Sequence, residues 1–142
     1  MKTSKANAVW QGKLKDGKGT ATIPSIGQEV KYTFSTRFEN DRGTNPEELI
    51  AAAHSQCFSM AFSQLLTESG YNPVKIATSA EVTIGEKGEG MAILRSRLIC
   101  DAEVPEIEDD EFQKLAEEAK KNCPVSQALA SVDISLDANL VH

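Results

Sequence analysis

A chain of 142 residues, 40% hydrophobic and 25% charged, is long enough for one ordinary domain, spanning 1–142, around a single core. Its formal net charge of −6 repels a phosphate backbone, and no basic stripe with interleaved aromatics offsets it, so nucleic acid is disfavoured as a partner. Met1-Lys2-Thr3-Ser4-Lys5 leads into no apolar run, which argues against a signal peptide and for the cytoplasm.

Gly12, Asp16-Gly17 and Gly19 punctuate the first segment and predict a hairpin of strands at 7–11 and 18–23. Glu29–Arg37 alternates, with Val30, Tyr32 and Phe34 on one face, and reads as a third strand. Asn40–Thr44 is a turn. Asn45 then suits a helix N-cap, Pro46 its first position, and Glu48 the third residue of a capping box. That helix should run to Ser69, with Gly70 just past its end. Apolar or small residues lie almost all round it, from Leu49 to Leu66, as expected of a helix buried on several sides. His54, Ser55, Gln56, Ser59, Ser63 and Gln64 interrupt the run, so it reads as a core helix and not a membrane span. At about 36 Å it is long for so small a domain, which predicts a partner subunit covering part of it.

Asn72-Pro73 breaks the chain. Ile76 to Ile84 alternate as a strand, Gly85–Gly90 turns, and Met91–Glu103 returns to close a hairpin that Pro105 ends. Asp109–Lys121 is an amphipathic helix with Phe112, Leu115, Ala116 and Ala119 on one face. Pro124 opens a short helix over Val125–Ala130, which puts Cys123 at its N-cap. Val132 to Leu140 alternate as a last strand. The pairing of the strands is not legible.

Three cysteines are an odd number in a chain with no export signal, and point to reduced thiols. Cys57 reads either as a small core residue or, with His54, Ser55 and Gln56 crowding it, as a site. Cys123 reads as a capping residue or as a thiol favoured as thiolate by the first N–H groups of the short helix. Cys100 ends a strand pattern and reads as structural. His54 with Cys57 gives weak support for zinc.

Read together, Thr36-Arg37-Phe38-Glu39, Gly43-Thr44-Asn45-Pro46-Glu47-Glu48-Leu49-Ile50, Ala52-Ala53-His54, Cys57-Phe58-Ser59-Met60-Ala61 and Cys123-Pro124-Val125-Ser126-Gln127 make the chain similar to the OsmC/Ohr family, more to its OsmC branch. The resemblance, which runs nearly end to end, implies an α+β fold: antiparallel sheets wrapped around long central helices in an interlaced homodimer. It implies a peroxidase that uses two cysteines and no cofactor or metal. Cys57 matches the peroxidatic cysteine, Cys123 the resolving one, Arg37 the arginine that activates the thiolate, and Glu47 the glutamate that holds the arginine. Peroxide is then the substrate and a dithiol the reductant, with lipoylated proteins suggested by the family. Ser55-Gln56 departs from the small residues that relatives often carry there, and Gln56 is expected to narrow or polarise the pocket.

The residues themselves suit those roles. A thiol in apolar surroundings is a poor nucleophile, and an adjacent guanidinium reverses this. A buried Arg37 needs a carboxylate, which Glu47 can supply while Glu48 caps. Glu47 stands about 15 Å of helical rise before Cys57, so either Arg37 and its flanking strand fold back to bridge the gap or Arg37 and Glu47 come from a second chain; the second, an active site at a homodimer interface, is the preferred expectation. Phe58, Met60 and Phe62 line an apolar channel or belong to the core. Two other classes compete: a non-catalytic dimeric binder of an apolar small molecule, and a thiol redox sensor.

Overall fold

The computed structural model describes all residues, Met1–His142, and divides them into two compact units, Met1–Leu49 and Ile50–His142. In the first unit, strands β1 (Asn7–Gln11), β2 (Lys18–Ile23) and β3 (Gln28–Tyr32) form an antiparallel meander. Its register sets Trp10 opposite Gly19 and Gly19 opposite Tyr32. The rings of Trp10 and Tyr32 lie 5.5 Å apart over that glycine. A Cβ at Gly19 would come within 2.5 Å of the Tyr32 ring and 2.8 Å of the Trp10 ring, so only glycine lets the two aromatics close over the strand.

The expected third strand ends five residues early. After β3 the chain turns into a short helix, α1 (Phe34–Phe38), which therefore carries Arg37 on a helix and not on a strand. The cause is local. The Thr33 hydroxyl accepts from the Thr36 N–H at 3.2 Å, and the Thr36 hydroxyl accepts from the Thr33 N–H at 2.8 Å. This is a capping box built from two threonines, and it diverts an alternating pattern into a helical turn.

Helix α2 (Pro46–Glu68) starts where the sequence places it: the Asn45 side chain accepts the Glu48 N–H at 2.8 Å. The reciprocal half of the expected capping box does not form, because the Glu48 carboxylate instead accepts the Thr44 hydroxyl at 2.8 Å. In this chain α2 buries one stripe of its second-unit part, His54, Phe58, Phe62 and Leu66, four residues apart as a helix face requires. Met60 stays 75% exposed. Burial on several sides, expected from the sequence, is thus not reached within one chain.

The second unit holds strands β4 (Lys75–Lys87), β5 (Gly90–Glu103) and β6 (Asp133–Leu140) and helices α3 (Asp109–Asn122) and α4 (Pro124–Ala128). The β4–β5 turn is tighter than Gly85–Gly90: Lys87 pairs with Gly90 across two residues, and Gly88 takes the positive φ of 62° that such a turn needs. β6 adds to β5 in parallel, so this sheet is mixed while every other pairing is antiparallel. Phe112, Leu115, Ala116 and Ala119 of α3 are buried, as its periodicity predicts. They join Phe58, Phe62, Leu66, Leu98, Cys100 and Ala102 in one core, where the rings of Phe58, Phe62 and Phe112 pack in series. No helix is long and apolar enough to cross a membrane.

Candidate active site

Cys57 lies mid-way along α2, one turn before Met60 and Ala61. Cys123 is the last residue before α4, and also closes α3: its N–H donates to the Ala119 carbonyl at 3.0 Å. Pro124 forces the break, since it cannot continue α3 but suits the first position of a new helix. This corner brings two thiols that are widely separated in sequence into contact. Cys123 is fully buried and Cys57 is partly open to solvent.

Burial pushes the Cys57 thiol above its ordinary range, and the hydrogen bond with Cys123 pushes it the same way. The Val125 N–H, in the first turn of α4, donates to the Cys57 sulfur and opposes both. Within its own unit, then, Cys57 is held as a thiol, and a thiolate there calls for a cation. An open hollow of about 660 Å³ stands against it. Met60, Ala61 and Leu65 give it an apolar side, Gln64 and Asn122 a polar one. Phe58 and Phe62, expected as channel or core, are core; Met60 alone of the three faces the hollow. Gln56 is exposed and is not among the residues that line it, whereas Gln64, two turns further along the helix, is.

His54 is fully buried, yet both ring nitrogens are satisfied: Nδ1 lies 2.7 Å from the Ser96 hydroxyl on β5 and Nε2 2.8 Å from the Ser126 hydroxyl on α4. Desolvation holds it below its ordinary value, so it is neutral near pH 7. With both nitrogens engaged by hydroxyls, His54 is not free to join Cys57 as a metal ligand, and no group of three or more His, Cys, Asp or Glu side chains converges elsewhere. Cys100 is fully buried on β5 and its thiol is pushed up by burial, as suits a core residue.

In the first unit, Arg37 and Glu47 form an ion pair. Arg37 Nη2 donates to Glu47 Oε1 at 2.8 Å, and its Nε lies 3.2 and 3.3 Å from the two carboxylate oxygens. Glu47 is 5% exposed, while the Arg37 side chain remains 37% exposed and stacks 5.3 Å from the Phe38 ring. The Asn45 side-chain amide donates to the Thr36 carbonyl at 2.9 Å, fastening α1 to the start of α2. A half-exposed guanidinium with a buried carboxylate on one side keeps donors free on the other.

The chain is similar to known proteins. The profile of the OsmC-like protein family matches residues 39–137. Peroxiredoxin OsmC of Escherichia coli K12 is 44% identical over 96% of this chain and 95% of its own length. The chain belongs to the OsmC family. The organic hydroperoxide resistance protein of Xanthomonas axonopodis pv. citri is 31% identical over 86% of the chain and 85% of that protein. The crystal structure of an organic hydroperoxide resistance protein from Elizabethkingia anophelis superposes with a TM-score of 0.75 at 25% identity, covering 99% of this chain and all of that one. The resemblance and α+β fold class read from the sequence are thereby established. What this OsmC-family sequence conceals is the role of His54: its partners lie 42 and 72 positions away, so no local pattern marks them.

Proposed function

We propose that the chain is a thiol-dependent peroxidase that reduces organic hydroperoxides, and hydrogen peroxide, to alcohols and water. The observation that carries this reading is the contact of a partly open Cys57 with a buried Cys123 beside an apolar-sided hollow, in a chain 44% identical to a peroxiredoxin. Two thiols in contact can pass to a disulfide and back by oxidation and thiol–disulfide exchange.

In the first step the Cys57 thiolate attacks the terminal oxygen of the peroxide. A sulfur–oxygen bond forms, the oxygen–oxygen bond breaks, and the alkoxide leaves as alcohol after taking a proton. Arg37 stabilises the thiolate and the charge that develops on the departing oxygen, and Glu47 holds the guanidinium in the required plane. The Cys123 thiol then displaces hydroxide from the Cys57 sulfenic acid, giving the disulfide and one water. A dithiol reductant, lipoylated protein by family analogy, restores both thiols by exchange. Thus the peroxide takes two electrons from the sulfurs and the dithiol returns them.

Because Cys57 within its own unit is held as a thiol, the cation must be delivered to it. We place Arg37 and Glu47 of one chain against Cys57 of a second in a homodimer. The exposed Met60 on α2, a helix apolar or small almost all round, supports a partner chain.

Peroxide consumption by purified protein with dihydrolipoamide tests the reading. Wild type should turn over, Cys123→Ser should consume a single equivalent, and Cys57→Ser none. A binder of apolar molecules would show no turnover in any form. A redox sensor would form the disulfide yet turn over slowly with every reductant; either result overturns the proposal. Co-expressed Arg37→Ala and Cys57→Ser chains should recover activity in the mixed dimer, and no recovery in proven heterodimers would place the arginine in the same chain as its cysteine.

A further inference from the structure

The same two helices are joined at two neighbouring points. On α2, His54 stands three residues before Cys57; at α4, Ser126 stands three residues after Cys123. Residues three apart on a helix share a face. Cys57 meets Cys123, and one turn away His54 Nε2 meets Ser126 Oγ at 2.8 Å. The other ring nitrogen is anchored to Ser96 Oγ on β5 at 2.7 Å. His54, Ser96 and Ser126 are 0%, 1% and 5% exposed, and no buried side-chain polar atom lacks a partner.

That second link has work to do. α4 is five residues long and has no side-chain cap on its first turn. A helix so short has no stability of its own. Cys123 sits at the corner between α3 and α4, with φ −55° and ψ 124°, so the sulfur's position depends on where α4 is fixed. A disulfide demands a narrow range of Cα separation and torsion. A rigid imidazole, held at both ends by hydroxyls that can donate or accept, fixes α4 against α2 and the sheet one turn from the sulfurs. A flexible or apolar side chain at position 54 would fill space without setting that distance.

We propose that His54, through Ser126, is a positioning residue for closure of the Cys57–Cys123 disulfide. In closure the Cys123 sulfur attacks the Cys57 sulfenic sulfur, the sulfur–sulfur bond forms, the sulfur–oxygen bond breaks, and hydroxide leaves with the Cys123 proton as water. The inference builds on the peroxidase reading for its oxidant, but the geometry governs closure by any oxidant.

The test follows two steps separately in the full-length reduced protein: loss of the Cys57 thiol to cumene hydroperoxide, trapped as its dimedone adduct, and appearance of the disulfide by mass. Diamide, which takes up the two thiol hydrogens and becomes the hydrazine, drives closure in a parallel arm without peroxide. In Ser126→Ala, closure should slow on the order of tenfold or more relative to the first step, in both arms, because small misplacements of reacting groups cost rate steeply. Ser126→Thr, which restores the hydroxyl, should recover it, and His54→Asn should behave like Ser126→Ala. Closure at the wild-type rate in both folded variants overturns the inference, as does equal slowing of both steps, which would mark a merely structural role. If wild type ignores cumene hydroperoxide but closes with diamide, the peroxidase reading fails and the diamide arm still decides the role of His54.

Discussion

The two halves of the proposed chemistry rest on different physics. The thiol pair belongs to a unit with its own core, in which Phe58, Phe62, Leu66, Leu98 and Phe112 are fully buried. The arginine and its glutamate belong to a unit in which Thr36, Glu47 and Gly19 are the buried residues and every large apolar side chain is at least partly open. One region is held by hydrophobic burial, the other by a strand meander, a threonine capping box and an ion pair. The pair that includes the buried Cys123 thiol is set where the chain can bury it, and the charge proposed to act on Cys57 stays where water can reach it.

The sharpest way to break that comparison is to attack each region's mainstay. Phe62→Ala removes the middle ring of the Phe58–Phe62–Phe112 series and should cost about 3–5 kcal/mol of stability by denaturant unfolding. Activity per folded molecule should change little. Trp10→Ala, in the half-open aromatic pair of the first unit, should cost clearly less. Equal losses would mean that the first unit has a core of its own.

Arg37→Ala should do the reverse. Removing a preorganised cation from a developing anion typically costs on the order of 10²–10³-fold in rate, while loss of a half-exposed ion pair costs little stability. The pH profile gives the cause. Burial and the hydrogen bond with Cys123 push Cys57 above the ordinary thiol value, so without Arg37 its alkylation by iodoacetamide should set in only above that value. In wild type it should set in below it. A profile that Arg37→Ala leaves in place would separate the ion pair from the thiol altogether.

The second unit should also be the acid-sensitive one. Folded His54 is held below 6.5, so below that pH the unfolded chain takes a proton that the folded one refuses. Its contribution to stability is therefore present above pH 6.5 and lost as pH falls towards the folded value. Urea midpoints between neutral and mildly acidic pH should fall less steeply in His54→Asn than in wild type.

Local chemistry was legible in the sequence wherever one stretch of chain decides its own structure. Asn45-Pro46 marks the start of α2, Pro124 places Cys123 at a helix cap, and the α3 face follows from period alone. What could not be read is what distant residues decide. Alternation in β6 does not say that its neighbour is β5 or that they run parallel. The imidazole of His54 carries no sign that its hydroxyl partners are on β5 and α4. The resemblance named Cys57 and Cys123 as a pair, but only the fold sets the two thiols in contact.

The smallest expected effect tests the point where a local pattern misled. Val30, Tyr32 and Phe34 alternate as a strand does, yet the chain becomes helical at Phe34 because Thr33 and Thr36 cap each other. Loss of a capping hydroxyl typically costs about 1 kcal/mol, and α1 has only five residues to offset it. Thr33→Ala should therefore free α1 to follow the strand pattern, raising amide exchange from Phe34 to Phe38 while the second unit keeps its protection. Because Arg37 rides on α1, the peroxide rate should fall as well, by less than in Arg37→Ala, since Glu47 still holds the guanidinium through both of its oxygens. Exchange unchanged across α1 would mean that the ion pair, and not the threonine cap, turns the strand into a helix.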